Sequence, residues 1–530
     1  MNSAAVMNLG QLLRQTARLF PEHHGLIHGE HRWTWSEIDA RVDAMASALQ
    51  KRGLKKGDRI LVQSRNNLQL FESCWAAFRL GCVWVPTNFR LTPPEVAYLG
   101  ASSGAAAMIY ESDFAAHADA VREASGQLKH LVCIGAPRAG ESSYEALVEA
   151  SLGNSPDEAA VDHDDPLWFF YTSGTTGKPK AGVLTHGQMA FVVTNHLADL
   201  IPGTTEKDCS IAVAPLSHGA GIHALLNVAR GAATVLPVGD RLDPENFWQL
   251  VQTHRVSNFF TVPTIVKMLV EHPAVDHYDH KSLRYVIYAG APMYRADQKL
   301  ALRKLGKVLV QYFGLGEVTG CITVLPPEMH SIEDDDPNAP AGTCGRPRTG
   351  MEVAILDKDL QRVPEGTVGE ICCRGPAVFS GYHGNASATA QALRGGWFHT
   401  GDLGRLDARG LLYITGRESD MYISGGSNVY PREVEEVLLQ HPGVQEVAVL
   451  GMPDPKWGEI GVAVVVRRPG VPEVDAPALL AHLDGRCARY RWPQHFFFWD
   501  ALPKSGYGKI TKKDVRQQLL ASGEIKELVA

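Results

Sequence analysis

The stretch YTSGTTGKPKAGVLTH, residues 171–186, combines three glycines with four hydroxyl side chains, Thr172, Ser173, Thr175 and Thr176, that precede Lys178 and Lys180. Glycines let a backbone turn tightly and approach a ligand closely, while hydroxyls, backbone N–H groups and lysines suit phosphate oxygens. A P-loop places four residues between its first glycine and the Gly-Lys pair. Here Gly174 and Gly177 are separated by only two residues, and Pro179 follows Lys178 where Ser or Thr would be needed. The segment therefore suits phosphate without P-loop geometry, and by itself it also reads as a flexible Gly/Ser loop. A second glycine pair, Gly314 and Gly316, follows an apolar run, but Thr319 stands at the third glycine position of a dinucleotide fingerprint.

Composition narrows the classes that could carry such loops. The chain has 530 residues, 45% of them apolar and 21% charged, with a net charge of −7 from 51 basic and 58 acidic residues. This is an ordinary globular balance with no basic block for nucleic acid, and the length predicts about three or four domains or subdomains. The most apolar region, residues 211–238, is broken by Pro215, His218, glycines and Arg230, so no membrane span is expected. Nine cysteines are scattered, and only Cys372 and Cys373 adjoin. Neighbours on a strand point to opposite faces, which argues against a metal knuckle. With neither a secretory signal nor a C-terminal address expected, the predicted location is the cytoplasm.

The elements that must position these loops alternate. Thr34 and Glu37 form a capping box ahead of Ile38, Val42, Met45 and Leu49 at helical spacing, and a strand follows from Arg59. Apolar strands at 167–171 and 308–313 imply largely buried sheets. From Gly342 to Tyr413 shorter strands with frequent glycines predict a β subdomain. Pro431 and Glu433 suit the start of a helix with a Val434, Val437 and Leu438 stripe, and strands at 447–450, 460–466 and 496–499 complete a small α+β unit. The expectation is an α/β and α+β multidomain protein. A large domain of helix-flanked sheets and a β subdomain spans 1–416, a hinge 417–421, and a small mobile domain 422–530.

Further motifs appear in order: APLSHGAG at Ala214, YAGAP at Tyr288, QYFGLGE at Gln311, GTCGRP at Gly342 and GEICCRG at Gly369. GWFHTGDLG at Gly396, YITGR at Tyr413, ISGGSNVYPREVEE at Ile423 and GKITKKD at Gly508 follow. With YTSGTTGKPK, this set resembles the adenylate-forming superfamily of acyl-CoA synthetases, peptide-synthetase adenylation domains and firefly-type luciferases, over nearly the whole chain. The resemblance implies two steps. A carboxylate attacks the α-phosphate of ATP to give an acyl-adenylate and pyrophosphate, and a thiol, commonly that of coenzyme A, then displaces AMP.

The resemblance also implies residue roles. Thr172 to Lys180 would hold the β- and γ-phosphates, although Ala181-Gly182 replaces the commoner Gly-Val after Lys180. Glu317 would hold Mg²⁺, for which a carboxylate is a suitable hard ligand. Phe313 would stack on adenine beside Gly290, Ala291 and Pro292. Gly314 lies between Phe313 and Leu315 in that adenine and phosphate segment. Gly316 departs from the usual Thr, whose hydroxyl serves the α-phosphate, and a compensating donor is expected. Asp402 would accept both ribose hydroxyls, with Arg417 beside it. Lys509 would bridge the substrate carboxylate and α-phosphate, set among Lys504, Lys512 and Lys513, which read alone as a solvated basic stretch. Ser419 occupies the hinge slot, where Asp or Lys is commoner. Gly425 and Gly426 would line a thiol tunnel, Trp457 would face the CoA adenine, and His218 would line the acyl pocket and gate CoA.

Residues 219–223, 288–291 and 319–321 would line the acyl site. Their small, mostly apolar character suits an uncharged acyl tail, aliphatic or aromatic. His223 and Arg230 are the side chains that could reach a second carboxylate. The reading is an acyl-CoA ligase using ATP, Mg²⁺, a carboxylic acid and CoA, with a homodimer left open. The alternatives are an enzyme that loads a carrier protein or releases or oxidises its adenylate, and an impaired adenylate-binding module suggested by Gly316 and Ser419. A nicotinamide dehydrogenase comes last.

Overall fold

The computed structural model describes residues 4–172, 178–239, 241–291, 293–424, 426–455, 457–504 and 510–523. Two large sheets dominate it. One has seven strands and contains Arg59–Gln63, Val83–Pro86 and Ala107–Glu111 in parallel, with the antiparallel hairpin Pro166–Thr172 and Lys180–Thr185 at its edge. The other has nine strands. His24–His28, Ala233–Leu236, Cys209–Ile211, Asn258–Thr261, Tyr285–Tyr288 and Leu309–Phe313 run parallel, and antiparallel strands close both ends.

One core joins the two sheets. Ile60 and Trp168 from the first pack in the same cluster as Leu26, Ile287 and Val310 from the second, with Leu225 of helix Gly219–Ala229 and Val192 of helix His186–Asp199 in it as well. Strands buried on both faces are near-continuous apolar runs, which is why LWFFY and VLVQYF were legible as strands. The Thr34–Glu37 capping box forms and opens helix Trp35–Lys51.

The β subdomain is a four-stranded antiparallel sheet of Glu352–Leu356, Gly369–Arg374, Phe398–Leu406 and Leu412–Arg417. It begins later than expected, because Arg346–Pro347 pairs with Thr323–Leu325 and belongs to the nine-stranded sheet. Cys372 faces His399 and Trp397 while Cys373 enters the main core, as alternation on a strand requires.

A five-stranded sheet forms a separate C-terminal unit from Tyr422–Ser424, Ser427–Val429, Val444–Asp454, Gly458–Arg467 and His495–Trp499. Helix Pro431–Leu438 packs on it, burying Val434 and Leu438 with Val437 partly covered. Arg432 reaches across to donate to the Ile414 carbonyl, 3.3 Å away, in the β subdomain.

Candidate functional site

In parallel sheets ligands bind beyond the carboxyl ends of the strands. The segment from Gly290 follows strand Tyr285–Tyr288, and Gly314 to Glu317 follows its neighbour Leu309–Phe313, with Tyr288 opposite Gln311. Both segments therefore leave the sheet side by side. Gly290 takes φ 84°, a conformation costly for any residue with a Cβ. Phe313 and Ala291 are half-buried. Gly314 has no room for a side chain, since a Cβ would come within 2.5 Å of the Gly320 backbone.

Glu317 sits in the short helix Gly316–Val318 and is 6% exposed. Its Oε1 accepts hydrogen bonds from Thr172 Oγ1 at 3.0 Å and from the Tyr382 hydroxyl at 2.8 Å. Tyr382 was invisible to sequence reasoning. It arrives because strand Lys180–Thr185 pairs on its outer side with the Tyr382 segment: Gly182 bridges Tyr382, Val183 donates to the Gly381 carbonyl and His383 to that of Ala181. Burial, then the Glu317 charge, raises the pKa of the Tyr382 phenol, so it stays protonated and donates. Lys180 Nζ lies 4.9 Å from the Tyr382 ring centre, and Lys178 Nζ 5.2 Å from that of Tyr98. A carboxylate has about four lone-pair positions, so two hydroxyl donors on one oxygen leave acceptor capacity for a hard cation. The donor set fits Mg²⁺.

A Cβ on Gly316 would stand 2.7 Å from two carbons of the Phe170 ring and 2.9 Å from Thr172 Cγ2. The absent threonine is thus a matter of space: Phe170 occupies its place. His218 also packs against Phe170, with ring centres 4.4 Å apart. His218 is the N-cap of helix Gly219–Ala229, where Gly221 must be bare because a Cβ would fall 2.0 Å from the Leu216 carbonyl oxygen.

Asp402, 6% exposed, faces Arg417 across adjacent strands, and Arg417 Nε donates to its Oδ1 at 3.1 Å. The turn before Asp402 is pinned by Glu370, which accepts from the Gly401 N–H at 3.2 Å and pairs with His399 at 2.7 Å and Arg394 at 2.8 Å. Glu370, Cys372 and His399 are the one group among the described residues with metal-ligand spacing. The Glu370 carboxylate there is taken up by His399, Arg394 and Gly401.

In the C-terminal unit, Ser424 pairs with Gly458. This sets the turn of Gly426, φ 80°, beside the one carrying Trp457, which is 44% exposed and whose backbone N–H donates to Asp454 Oδ1. The supposed basic stretch is engaged: Lys504 pairs with Glu446 at 2.5 Å and Lys512 with Glu435 at 2.8 Å. Arg230 is exposed and its Nε donates to the Thr204 carbonyl, so of the two side chains considered for a second carboxylate only His223 is interior. Ser173, Gly174, Thr175, Thr176, Gly177, Pro292, Gly425 and Lys509 lie outside the described residues.

The chain belongs to the AMP-binding enzyme family. Residues 13–383 match the AMP-binding enzyme and residues 433–509 its C-terminal domain. Its relatives make it an enzyme of the AMP-forming acid–CoA ligase kind. A feruloyl-CoA synthase from an Amycolatopsis species is 36% identical over 96% of this chain and 99% of its own length. The structure of a fatty acyl CoA synthetase from Mycobacterium tuberculosis superposes with a TM-score of 0.76 at 31% identity, covering 97% of this chain and 99% of that one. The o-succinylbenzoate CoA synthetase from Bacillus subtilis, solved with its acyl-adenylate intermediate, gives 0.83 at 30% identity over 97% and 98%. No helix among the described residues is long and apolar enough to cross a membrane.

Proposed function

We propose that the protein joins a carboxylic acid to coenzyme A through an acyl-adenylate, converting ATP to AMP and pyrophosphate, and that the acid is a medium-chain aliphatic or an aromatic one. The observation that carries this reading is the cluster around Glu317. A buried carboxylate that follows strand Leu309–Phe313 is held by Tyr382 and by Thr172, the residue that immediately precedes the glycine-hydroxyl segment.

In this reading the loop and Lys178 and Lys180 hold the outer phosphates, and Mg²⁺ bound at Glu317 supplies neutralising charge to the phosphates. Asp402 takes the ribose hydroxyls while Arg417 keeps its carboxylate oriented. Phe313, Gly290 and Ala291 flank the adenine. Lys509 brings a cation between two anions, the substrate carboxylate and the α-phosphate, and stabilises charge that develops as they react. Residues 417–421 act as the hinge between the domains. Turning there carries Lys509 away and presents the turns of Gly426 and Trp457 to the thiol and to the CoA adenine. Feruloyl and fatty acyl relatives span the acid classes considered.

The test is pyrophosphate release with Mg-ATP across aliphatic and aromatic acids, with and without CoA. Acid-dependent release, CoA-dependent turnover and acyl-CoA detected by mass are expected. Release that CoA never affects would instead indicate a carrier-protein or adenylate-releasing enzyme.

A further inference from the structure

Helix Pro93–Ser103 stands beside the hairpin that carries the glycine-hydroxyl segment. It opens with a Thr92–Glu95 capping box and prolines in its first turn, and it ends on Gly104 at φ 65°. Val96 and Leu99 are buried in one cluster with Phe169 and Ala181, which come from the two strands of the hairpin. Gly100 packs so closely on helix Ala115–Ala124 that a Cβ would fall 2.6 Å from Val121. The helix is therefore fixed against the sheet, and side chains on its hairpin side have defined positions relative to the residues flanking the segment.

Two tyrosines make the connection. The Tyr171 hydroxyl, before the segment, meets the Ser102 hydroxyl at 2.7 Å and donates to the Leu99 carbonyl at 3.3 Å. Tyr98, half-buried, serves the residues after it. Its hydroxyl donates to the Pro179 carbonyl at 3.2 Å, and Lys178 Nζ stands 5.2 Å from its ring centre. One side chain thus holds the backbone of one residue and the charge of its neighbour. Lys178 is exposed, and a lysine ammonium on its four-carbon stem samples many rotamers unless something restrains it. An aromatic face attracts the cation yet carries no net charge. It restrains the ammonium without cancelling the charge that a phosphate needs, as a carboxylate in the same place would. Lys180 meets the same device in the Tyr382 ring, 4.9 Å away.

We propose that Tyr98 is a positioning residue for Lys178: its ring preorganises the ammonium and its hydroxyl fixes the chain at Pro179, so that the triphosphate meets a cation already in place. The proposal rests on the ligase reading and names the residue through which Lys178 sets the affinity for Mg-ATP. Preorganisation lowers the entropy cost of immobilising a long side chain when the ligand binds. An interaction made equally in the bound substrate and in the transition state appears in KM and not in kcat.

The experiment measures pyrophosphate release by the full chain at saturating acid and CoA while Mg-ATP is varied. Tyr98→Leu should raise the KM for Mg-ATP about tenfold and leave kcat within about threefold. Inhibition by added Mg-pyrophosphate should weaken by a similar factor, whereas the KM values for acid and CoA should not move. Tyr98→Phe keeps the ring and loses only the bond to Pro179, and should raise the KM about threefold. In a Lys178→Met background Tyr98→Leu should have no further effect, the signature of a residue that acts through the lysine. A KM for Mg-ATP that Tyr98→Leu leaves unchanged would overturn the proposal. The same tenfold loss in the Lys178→Met background would also overturn it, since a ring that merely supports the fold gives that result. Should Tyr98→Leu fail to fold, Tyr98→Phe decides, and an unchanged KM or a rise that persists in Lys178→Met overturns the role. If the unaltered chain releases no pyrophosphate with any acid, the ligase reading itself fails and the Tyr98 role with it, an outcome distinct from release that is indifferent to Tyr98.

Discussion

Gly316 is bare because the Phe170 ring and the Thr172 methyl fill the volume a side chain would need. Restoring the superfamily's threonine should therefore harm the protein. Overpacking costs about 1–3 kcal/mol, so Gly316→Thr should lower the melting temperature and cut acid-dependent pyrophosphate release roughly tenfold. A faster enzyme would mean that Phe170 gives way and that the hydroxyl had been missed. Tyr382 has the opposite standing, unannounced by any motif yet bonded to Glu317 at 2.8 Å. Tyr382→Phe removes a group that orients the carboxylate proposed to hold Mg²⁺, a loss that commonly lowers metal affinity about 10–100-fold. Titrating pyrophosphate release with Mg²⁺ should show that shift in half-saturation. Glu317, Asp402 and Arg417 were legible from local motifs because each motif encodes its own turn. The contacts of Tyr382 and Tyr98 were not, since sheet pairing and packing join residues far apart in the chain.

Elements were easier to read than their partners. The capping box at Thr34, the proline start of helix Pro431–Leu438 and the apolar parallel strands all formed as their residue types dictate. The β subdomain was placed too early because Arg346–Pro347 carries no local mark of the sheet it joins; Thr323–Leu325 recruits it. The proposed hinge is tested at this scale. The Asp420 and Met421 N–H groups fold back on the Arg417 carbonyl, and Ser419 lies within that turn. Proline fixes φ near −65°, so Ser419→Pro should leave acyl-adenylate formation within about threefold while slowing thioester formation about a hundredfold. Single-turnover assays started from acid or from preformed adenylate separate the two. Lys509→Ala should show the reverse pattern, losing about 10²–10³ in adenylation and keeping the second step.

Across the molecule, several histidines are buried in neutral form. His223 is lowered to about 3, His186 and His330 to about 4 each, and His196 well below its ordinary value, burial being the largest cause in each case. In the unfolded chain they titrate near 6.5, so the unfolded state binds more protons between pH 3 and pH 6.5. Their contribution is complete above pH 6.5 and is lost as the pH falls through that window. His223 alone amounts to about 1.4 kcal/mol per pH unit, or about 2 kcal/mol at pH 5. Melting temperatures should be flat near pH 7–8 and fall steeply below 6.5, and His223→Phe should flatten the acid limb.

The described residues on either side of the glycine-hydroxyl segment lead to one carboxylate, one directly and one through Tyr382. Thr172, just before it, donates to Glu317, and Lys180, just after it, rides over Tyr382, which donates to the same oxygen. A hinge pinned at both ends to one latch cannot swing without loading the latch. Lifting the loop strains the grip on Glu317, and loosening Glu317 slackens both ends of the loop. On the proposed function, departure of pyrophosphate and release of the Mg²⁺ assigned to Glu317 would then be a single coupled event, whose two halves should share one rate constant.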